Sequence, residues 1–514
     1  MLHPKLVVRL RSFRQELYDD LGFRQDSLFE LADAVLTAPE RRTLVRLSLC
    51  PCFRRRWPSA CDALADGTLD VDSLRALFQA NVPLPAPGER PLWVVDGTHW
   101  PRPAAATSPA RTWEHRPLPG KPQQGVVPAW AYHWLVQVPE RVGSWVLPLD
   151  VQRRGPTAGT PTQVAIRQIA QARADQAREA PRPVVALDSA HDVAQLAQAQ
   201  LDAALVVRLA KNRVFRRAPG PYAGRGRPRK HGSRFRLRDA RTHGRPTRSA
   251  SLEHPVYGTV ALDAWTDLHA EDAAAVPFAV VRVRVEHLPR HGQPTPLWLA
   301  WIGGDLPGDL HQVWRWYLGR FTVEHAFRFA KSRLGWTTVR PRHPAAADRW
   351  TWLVAAVFWQ LWLARPLVAD QRLPWERPLA GRAPDTRTRP PGVQRTLAHL
   401  GHASSATPTP WKLPRPPPRS AQWSAPALRR HPTTASQRQT SPSDSAPLAS
   451  HSLTSQSVVQ TQVKTGIWDI SGRGGGVSRT PLAGAAPSTG AGCGPRWHLL
   501  AVSPRLDARA VAVG

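Results

Sequence analysis

A chain of 514 residues has room for two or three domains and a substantial core. Its 69 lysines and arginines face 38 acidic residues, leaving a formal charge of +31 and a pI near 11.5. That surplus argues against an enzyme of neutral small molecules and for a polyanionic partner, foremost nucleic acid, although the dominance of arginine and the 53 prolines read equally as translation from GC-rich DNA. Four cysteines are too few for a disulfide scaffold, and Cys50, Cys52 and Cys61 lack histidines at zinc-site spacing, which fits a reducing cytoplasm. The N-terminus carries no uninterrupted apolar run, so no secretory signal is expected. The most apolar late stretch, 352–364, is interrupted by Gln360 and too short to span a bilayer; it reads as a buried helix, and no membrane association is expected.

In chain order, residues 1–88 form a small helical region. Leu17, Leu21 and the leucines at 28 and 31 give way to Leu64, Leu69, Val71, Leu74 and Leu77 in short helical patterns, and Pro83, Pro85 and Pro87 close the region. The run Arg54-Arg55-Arg56 is either a phosphate contact or an exposed basic turn. From 89 the character changes. A strand at 91–95 ends in Asp96-Gly97, and two more are expected at 130–138 and 142–149. A helix follows over 162–178, then a strand at 184–187 that stops at Asp188, a helix-like stretch at 192–203 and a strand at 205–209. This order predicts an α/β fold in which both aspartates follow strands, where a sheet presents side chains to a shared cleft. Alone, either aspartate would more often be a turn or helix-cap residue.

From Arg208 to Arg248 the chain holds 15 basic residues and one acidic residue, Asp239. Such a block must face solvent or a polyanion. Within it, Gly224 to Gly232 carries Arg225, Arg227, Arg229 and Lys230 on a glycine-punctuated loop, suited either to tracking DNA phosphates and entering a minor groove or to remaining a disordered basic loop. Strands resume at 256–262, 278–285 and 296–302, making 210–303 a basic loop and β-rich insertion. Trp265 within it either stacks on an unpaired base or fills core, the commoner fate. Residues 309–335 carry the clearest helical pattern: Tyr317, Arg320, Glu324, Arg328 and Lys331 share one sector beside an apolar stripe of Trp316, Val323, Phe327, Ala330 and Leu334. On its own, that charged face is equally a salt-bridged solvated surface. Core helices are expected across 304–370. Residues 371–430 are a Pro/Arg-rich extension, and 431–514 read as disordered, leaving open an authentic tail or a degenerate or frameshifted one.

Phosphodiester hydrolysis needs an activated water and a stabilised leaving oxygen, and two divalent ions about 4 Å apart supply both. Mg²⁺ prefers carboxylate oxygens and keeps waters that become the nucleophile. Strand-end aspartates and a helix glutamate would suit it, but 38 acidic residues offer many trios. The spacing Tyr317-x-x-Arg320-x-x-x-Glu324-x-x-x-x-x-x-Lys331 selects among them, because it resembles the tyrosine-arginine-glutamate-lysine signature of cut-and-paste DDE transposases from bacterial insertion sequences. Further segments resemble one branch of that family: Val94-Val95-Asp96-Gly97-Thr98, Trp100-Pro101-Arg102-Pro103, Trp134-Leu135-Val136-Gln137, Pro148-Leu149-Asp150-Val151 and the loop at 226–232. The resemblance spans roughly residues 10–415.

The resemblance implies an RNase H-like catalytic core with a β-rich insertion, and Glu324 lies 136 positions beyond Asp188, enough to hold one. It implies Asp96, Asp188 and Glu324 as catalytic residues holding two Mg²⁺ ions, for which Mn²⁺ may substitute. Tyr317, Arg320 and Lys331 would contact DNA near the cleaved end, beside Arg328 on the same face; bidentate phosphate contacts are within reach of Arg320 and not of a lysine. The sequence Ser189-Ala190-His191-Asp192 departs from the glycine-tyrosine-aspartate expected after the second aspartate, which bears on the local DNA contact rather than on the metal. The implied partners are double-stranded DNA, with terminal inverted repeats and target DNA, and a second copy in a homodimer on paired ends. The implied location is the bacterial cytoplasm, nucleoid-associated when DNA-bound. Residues 1–88 are candidates for DNA-end binding. An inactive transposase-derived DNA-binding protein, an RNase H-like nuclease without strand transfer and, more remotely, a structural interaction protein stay open.

Overall fold

The computed structural model describes residues 4–367 apart from 39–41, 106, 118–123, 141–142, 223 and 290–292. The extension at 371–430 and the tail at 431–514 lie outside the described residues. Five helices open the chain, α1 (Pro4–Asp19), α2 (Gln25–Thr37), α3 (Leu44–Leu47), α4 (Trp57–Asp66) and α5 (Val71–Ala80). Four strands follow, β1 (Leu92–Pro101), β2 (Thr112–Pro117), β3 (Gln124–Val138) and β4 (Leu147–Arg154), then α6 (Pro161–Ala174), β5 (Val184–Leu187), α7 (Val193–Gln198) and β6 (Ala204–Arg208). The insertion supplies β7 (Val214–Arg217), β8 (Arg234–Arg236), β9 (Arg248–His254), β10 (Gly258–His269), β11 (Phe278–Val285) and β12 (Leu297–Ile302). Three helices complete the described chain, α8 (His311–Gly319), α9 (Phe321–Ser332) and α10 (Pro344–Ala364).

The opening helices form because apolar residues recur at helical spacing and polar groups stop their ends. Leu10, Phe13 and Leu17 point inward from α1, and Leu74, Leu77 and Phe78 from α5. Asp70 caps α5 by accepting the N–H groups of Asp72 and Ser73. This apolar surface packs on α10, where Trp359 stacks with Phe13 and Phe78 at 6.2 and 5.7 Å. The basic run beside them is committed internally: Arg54 and Arg55 pair with the fully buried Glu30, and Arg55 also with Asp26. Their charge is therefore spent on the fold rather than offered to phosphate.

Asp20, at the end of α1, is pushed up to about 6 by burial and then by its acidic neighbours Asp70, Glu16 and Asp19. Its folded value exceeds the ordinary 3.8, so the native state holds the extra proton and stability falls as pH rises through that window. Asp20→Asn is expected to raise the unfolding midpoint at pH 7, by on the order of 1 kcal/mol after solvent screening, and to have no effect at pH 4. Thermal melts at the two pH values check the sign.

The sheet runs β4-β3-β1-β5-β6, with β1, β5 and β6 parallel and β3 and β4 antiparallel, and continues through β12, β11, β10, β7 and β8; β2 pairs with β3 and β9 with β10. The insertion thus extends the sheet edge-on through β12 and β6 instead of forming a layer of its own. Alternation along the strands sends Val184, Ala204 and Val206 to the side of α8, and Val185, Leu205 and Val207 to the side of α6 and α7. The result is a mixed α/β fold with a central sheet and flanking helices. Among the described residues no helix is long and apolar enough to cross a membrane.

Three differences from the sequence reading have physical causes. Strand β1 continues five residues past Asp96 to Pro101, because the antiparallel ladder with β3 runs on unbroken to Pro101↔Ala129. The helical pattern over 309–335 is two helices meeting at Arg320, where Arg320 N–H donates to Tyr317 O and Val323 N–H to Arg320 O, bonds three residues apart that tighten the turn. The basic block holds regular structure at its ends, β7 and β8, around the glycine-punctuated loop. Trp265 fills core, packed with Phe235 and Trp298 beneath Arg282.

Candidate active site

Register fixes where the two aspartates stand. Strands β1 and β5 pair in parallel from Leu92↔Val184 to Val94↔Ala186 and then part. Asp96 and Asp188 each lie two residues beyond the last pair, so both side chains leave the same face at the same level, where the strands diverge. Asp96 is buried, and its Oδ1 accepts the N–H of Gly97 at 2.9 Å. Asp188 Oδ1 accepts the Ala190 N–H at 3.0 Å and lies 2.9 Å from His191 Nδ1. His191 is buried at the entrance to α7, and its other nitrogen, Nε2, has no hydrogen-bond partner.

The tight step between α8 and α9 aims Arg320 at this level of the sheet. Its guanidinium, with the residue only 8% exposed, reaches three carboxylates: Nη2 lies 3.3 Å from Asp96 Oδ2 and 3.9 Å from Asp188 Oδ2, and Nη1 lies 3.4 Å from Glu324 Oε1. Glu324, one turn into α9, keeps its side chain 54% exposed. Burial pushes Asp96 up to about 6, with the negative charges of Asp188 and Glu324 adding to it against Arg320 and the Gly97 N–H. Asp188 goes the other way, to about 2: burial would raise it, but the hydrogen bond from His191 and the proximity of that ring, together with Arg320 and the Ala190 N–H, outweigh burial. An ionised carboxylate only accepts, so His191 Nδ1 is the donor.

As donors, three carboxylates on rigid elements suit a hard divalent ion. Among the described residues, however, no three of His, Cys, Asp and Glu are gathered closely enough to hold a metal; the guanidinium of Arg320 stands where the carboxylates converge.

The remaining candidates fall in three settings. Lys331 Nζ donates to Thr98 Oγ1 at 2.6 Å and lies over the Trp336 ring, two residues along β1 from Asp96 and on its face. Tyr317 is 1% exposed, edge-on to Phe321, and its hydroxyl is raised by burial. Arg328 is exposed one turn beyond Glu324. Arg225, Arg227, Arg229 and Lys230 are exposed on the connection between β7 and β8, at the far end of the sheet order from β1 and β5. The structure thus brings Asp96, Asp188, Arg320 and Glu324 together, with Lys331 alongside, and does not bring the basic loop to them. Sequence reasoning assigned no part to Thr98 or His191; the only signal was the departure at Ser189-Ala190-His191-Asp192.

Residues 16–270 match the family model described as DDE superfamily endonuclease. That segment, which contains Asp96 and Asp188 and ends before Glu324, is therefore similar to endonucleases of the DDE superfamily. No curated protein matches the chain. Among solved structures, a piggyBac transposase synaptic complex with hairpin DNA aligns with a TM-score of 0.40 and 9% identity, covering 78% of this chain and 79% of that one.

Proposed function

We propose that the protein is a DDE transposase that cuts DNA at the ends of an insertion sequence and joins the freed ends to target DNA. The observation that carries this reading is the convergence of Asp96, Asp188 and Glu324, from two diverging parallel strands and one helix, on a single buried arginine. The order β4-β3-β1-β5-β6 with its mixed directions supports an RNase H-like core, and the surplus of positive charge supports a polyanionic substrate.

In this reading Asp96, Asp188 and Glu324 hold two Mg²⁺ ions, or Mn²⁺ in their place. When bound, the ions lower the pKa of the attacking water and take up charge on the departing 3′ oxygen. His191 orients Asp188 and keeps it an acceptor. Lys331 and Arg328 lie on the same helix face and bind phosphates of the cleaved end, while Tyr317, buried behind them, supports Arg320 and that face. Arg225, Arg227, Arg229 and Lys230 hold more distant backbone. A second copy binds the other end.

The test incubates the full chain with Mg²⁺ and DNA carrying the flanking inverted repeats, scoring both cleavage and joining of a labelled end to target DNA. Cleavage and joining are expected, and both are expected to disappear in Asp96→Asn, Asp188→Asn and Glu324→Gln. Normal cutting by all three variants would sink the assignment of the site. Cutting without joining would indicate a nuclease, and salt-sensitive binding without cutting a DNA-binding protein.

Two further outcomes follow. Replacing Arg225, Arg227, Arg229 and Lys230 together by alanine should reduce the steepness of log affinity against log salt by about 3.6, since each of the four phosphate contacts contributes about 0.9; titrations at several salt concentrations measure it. His191→Ala should weaken Mn²⁺ binding about 10- to 100-fold, the usual effect of removing a group that orients a ligand. His191→Asn, which can still donate to Asp188, should recover part of that loss by calorimetry.

A further inference from the structure

The arginine at the centre of the site is held differently from the buried Arg14 and the half-buried Arg55. Arg14 meets Asp33 through two nitrogens at 2.8 and 3.0 Å, and Arg55 meets Glu30 at 2.7 Å, the lengths of strong charge-assisted hydrogen bonds. Arg320 meets its three carboxylates at 3.3, 3.4 and 3.9 Å, and its buried Nε has no partner. It is placed by charge rather than by paired hydrogen bonds. Among the described residues it is also the sole ion-pair partner of Asp96 and of Glu324. Three carboxylates facing one guanidinium leave negative charge uncompensated in a site whose two aspartates are drawn back from solvent, and low dielectric makes that imbalance costly.

We infer that Arg320 is a resident counter-ion of the metal site: it neutralises the carboxylates while no divalent ion is bound, competes with such an ion, and is released from the carboxylates when one binds. This rests on the metal-site reading given above. The carboxylates cannot close on an ion while the guanidinium stands among them, so loading the site and freeing Arg320 are a single exchange. A freed guanidinium, one turn from Glu324, is then available to a DNA phosphate. Loading the site thus readies the DNA contact, and free protein does not spend the arginine on phosphate before the site is filled. Because the exchange is reciprocal, DNA that captures Arg320 also favours ion binding.

The test measures Mn²⁺ affinity of the full chain by calorimetry for the unsubstituted protein, Arg320→Gln, Arg320→Lys and Asp188→Asn. Removing the competing charge is expected to tighten Mn²⁺ binding about tenfold or more in Arg320→Gln, with Arg320→Lys between it and the unsubstituted protein. Binding that Asp188→Asn abolishes but Arg320→Gln leaves equal or weaker would overturn the counter-ion role while sparing the metal site. No binding by the unsubstituted protein or by Arg320→Gln would overturn the metal site and the inference with it. Should Arg320→Gln fail to fold, the unsubstituted protein answers alone: Arg320 should resist the arginine reagent phenylglyoxal without Mg²⁺ and react with it, read by peptide mass spectrometry. Reactivity unchanged by Mg²⁺ would also overturn the inference.

Discussion

Asp96→Asn is expected to lose DNA cleavage by about 10³-fold or more while folding at least as stably as the unsubstituted protein. The loss follows from the number of kilocalories at stake: ligands that support several kcal/mol of transition-state charge stabilisation take about tenfold in rate with each 1.36 kcal/mol removed. The retained stability follows from the site itself. Ionised Asp96 is disfavoured by burial and by the charges of Asp188 and Glu324 despite Arg320, so a neutral side chain of the same shape relieves crowding. Asparagine Oδ1 still accepts the Gly97 N–H that Asp96 accepts at 2.9 Å. Cleavage assays beside thermal unfolding without metal separate the two effects. Loss of activity accompanied by a large drop in midpoint would mean that Asp96 serves the fold, and the metal-site reading would lose its first ligand. This pairing of lost function with kept stability is what a site built under strain predicts.

The sheet was legible where its strands are apolar on both faces. The runs at 184–187 and 278–285 coincide with β5, buried throughout, and with β11, which opens on four buried apolar residues before Arg282 and Arg284 alternate with valines, because buried central strands read as continuous apolar stretches. Strands β2, β7, β8 and β9 are not readable that way. They are short or polar, and β9 alternates exposed and half-buried residues along its one paired edge. The end of β1 was misread for a related reason: Asp96-Gly97-Thr98-His99 stops looking like a strand, yet the partner β3 supplies the ladder that keeps it one. That continuation matters to the site, because it presents Thr98 to Lys331 on the face that carries Asp96. For the site residues, the resemblance carried by the tyrosine-arginine-glutamate-lysine spacing singled out Glu324 and Arg320, whereas the meeting of Asp96 with Asp188 depends on the β1–β5 register, which a single strand does not encode. A step of one residue between α8 and α9 barely alters a helical wheel, so the break that aims Arg320 was invisible to periodicity.

Gln360 shows how a residue that marks the edge of a sequence argument can mark a structural joint. It interrupts the apolar stretch that became α10, and it is fully buried. Its side-chain oxygen accepts from Arg14 Nη1, and Arg14 is itself paired with buried Asp33 through both nitrogens and lies over the Phe29 ring. One guanidinium therefore ties α1 and α2 to the central helix of the core. Arg14→Ala breaks the buried two-nitrogen pairing of Arg14 with Asp33, and breaking a buried ion pair by removing one member costs about 3–5 kcal/mol. Replacing the set by apolar side chains of similar volume removes the Asp33 charge along with the pair. Arg14→Met with Asp33→Leu and Gln360→Met is thus expected to recover most of the loss, and urea unfolding of the single and the triple variant measures the difference. A single variant costing under about 1 kcal/mol would place the pair in the class of solvent-screened contacts, and the joint between helical region and core would then rest on its other contacts, among them the stacking of Phe13 and Phe78 against Trp359 and the pairing of Arg75 with Asp150.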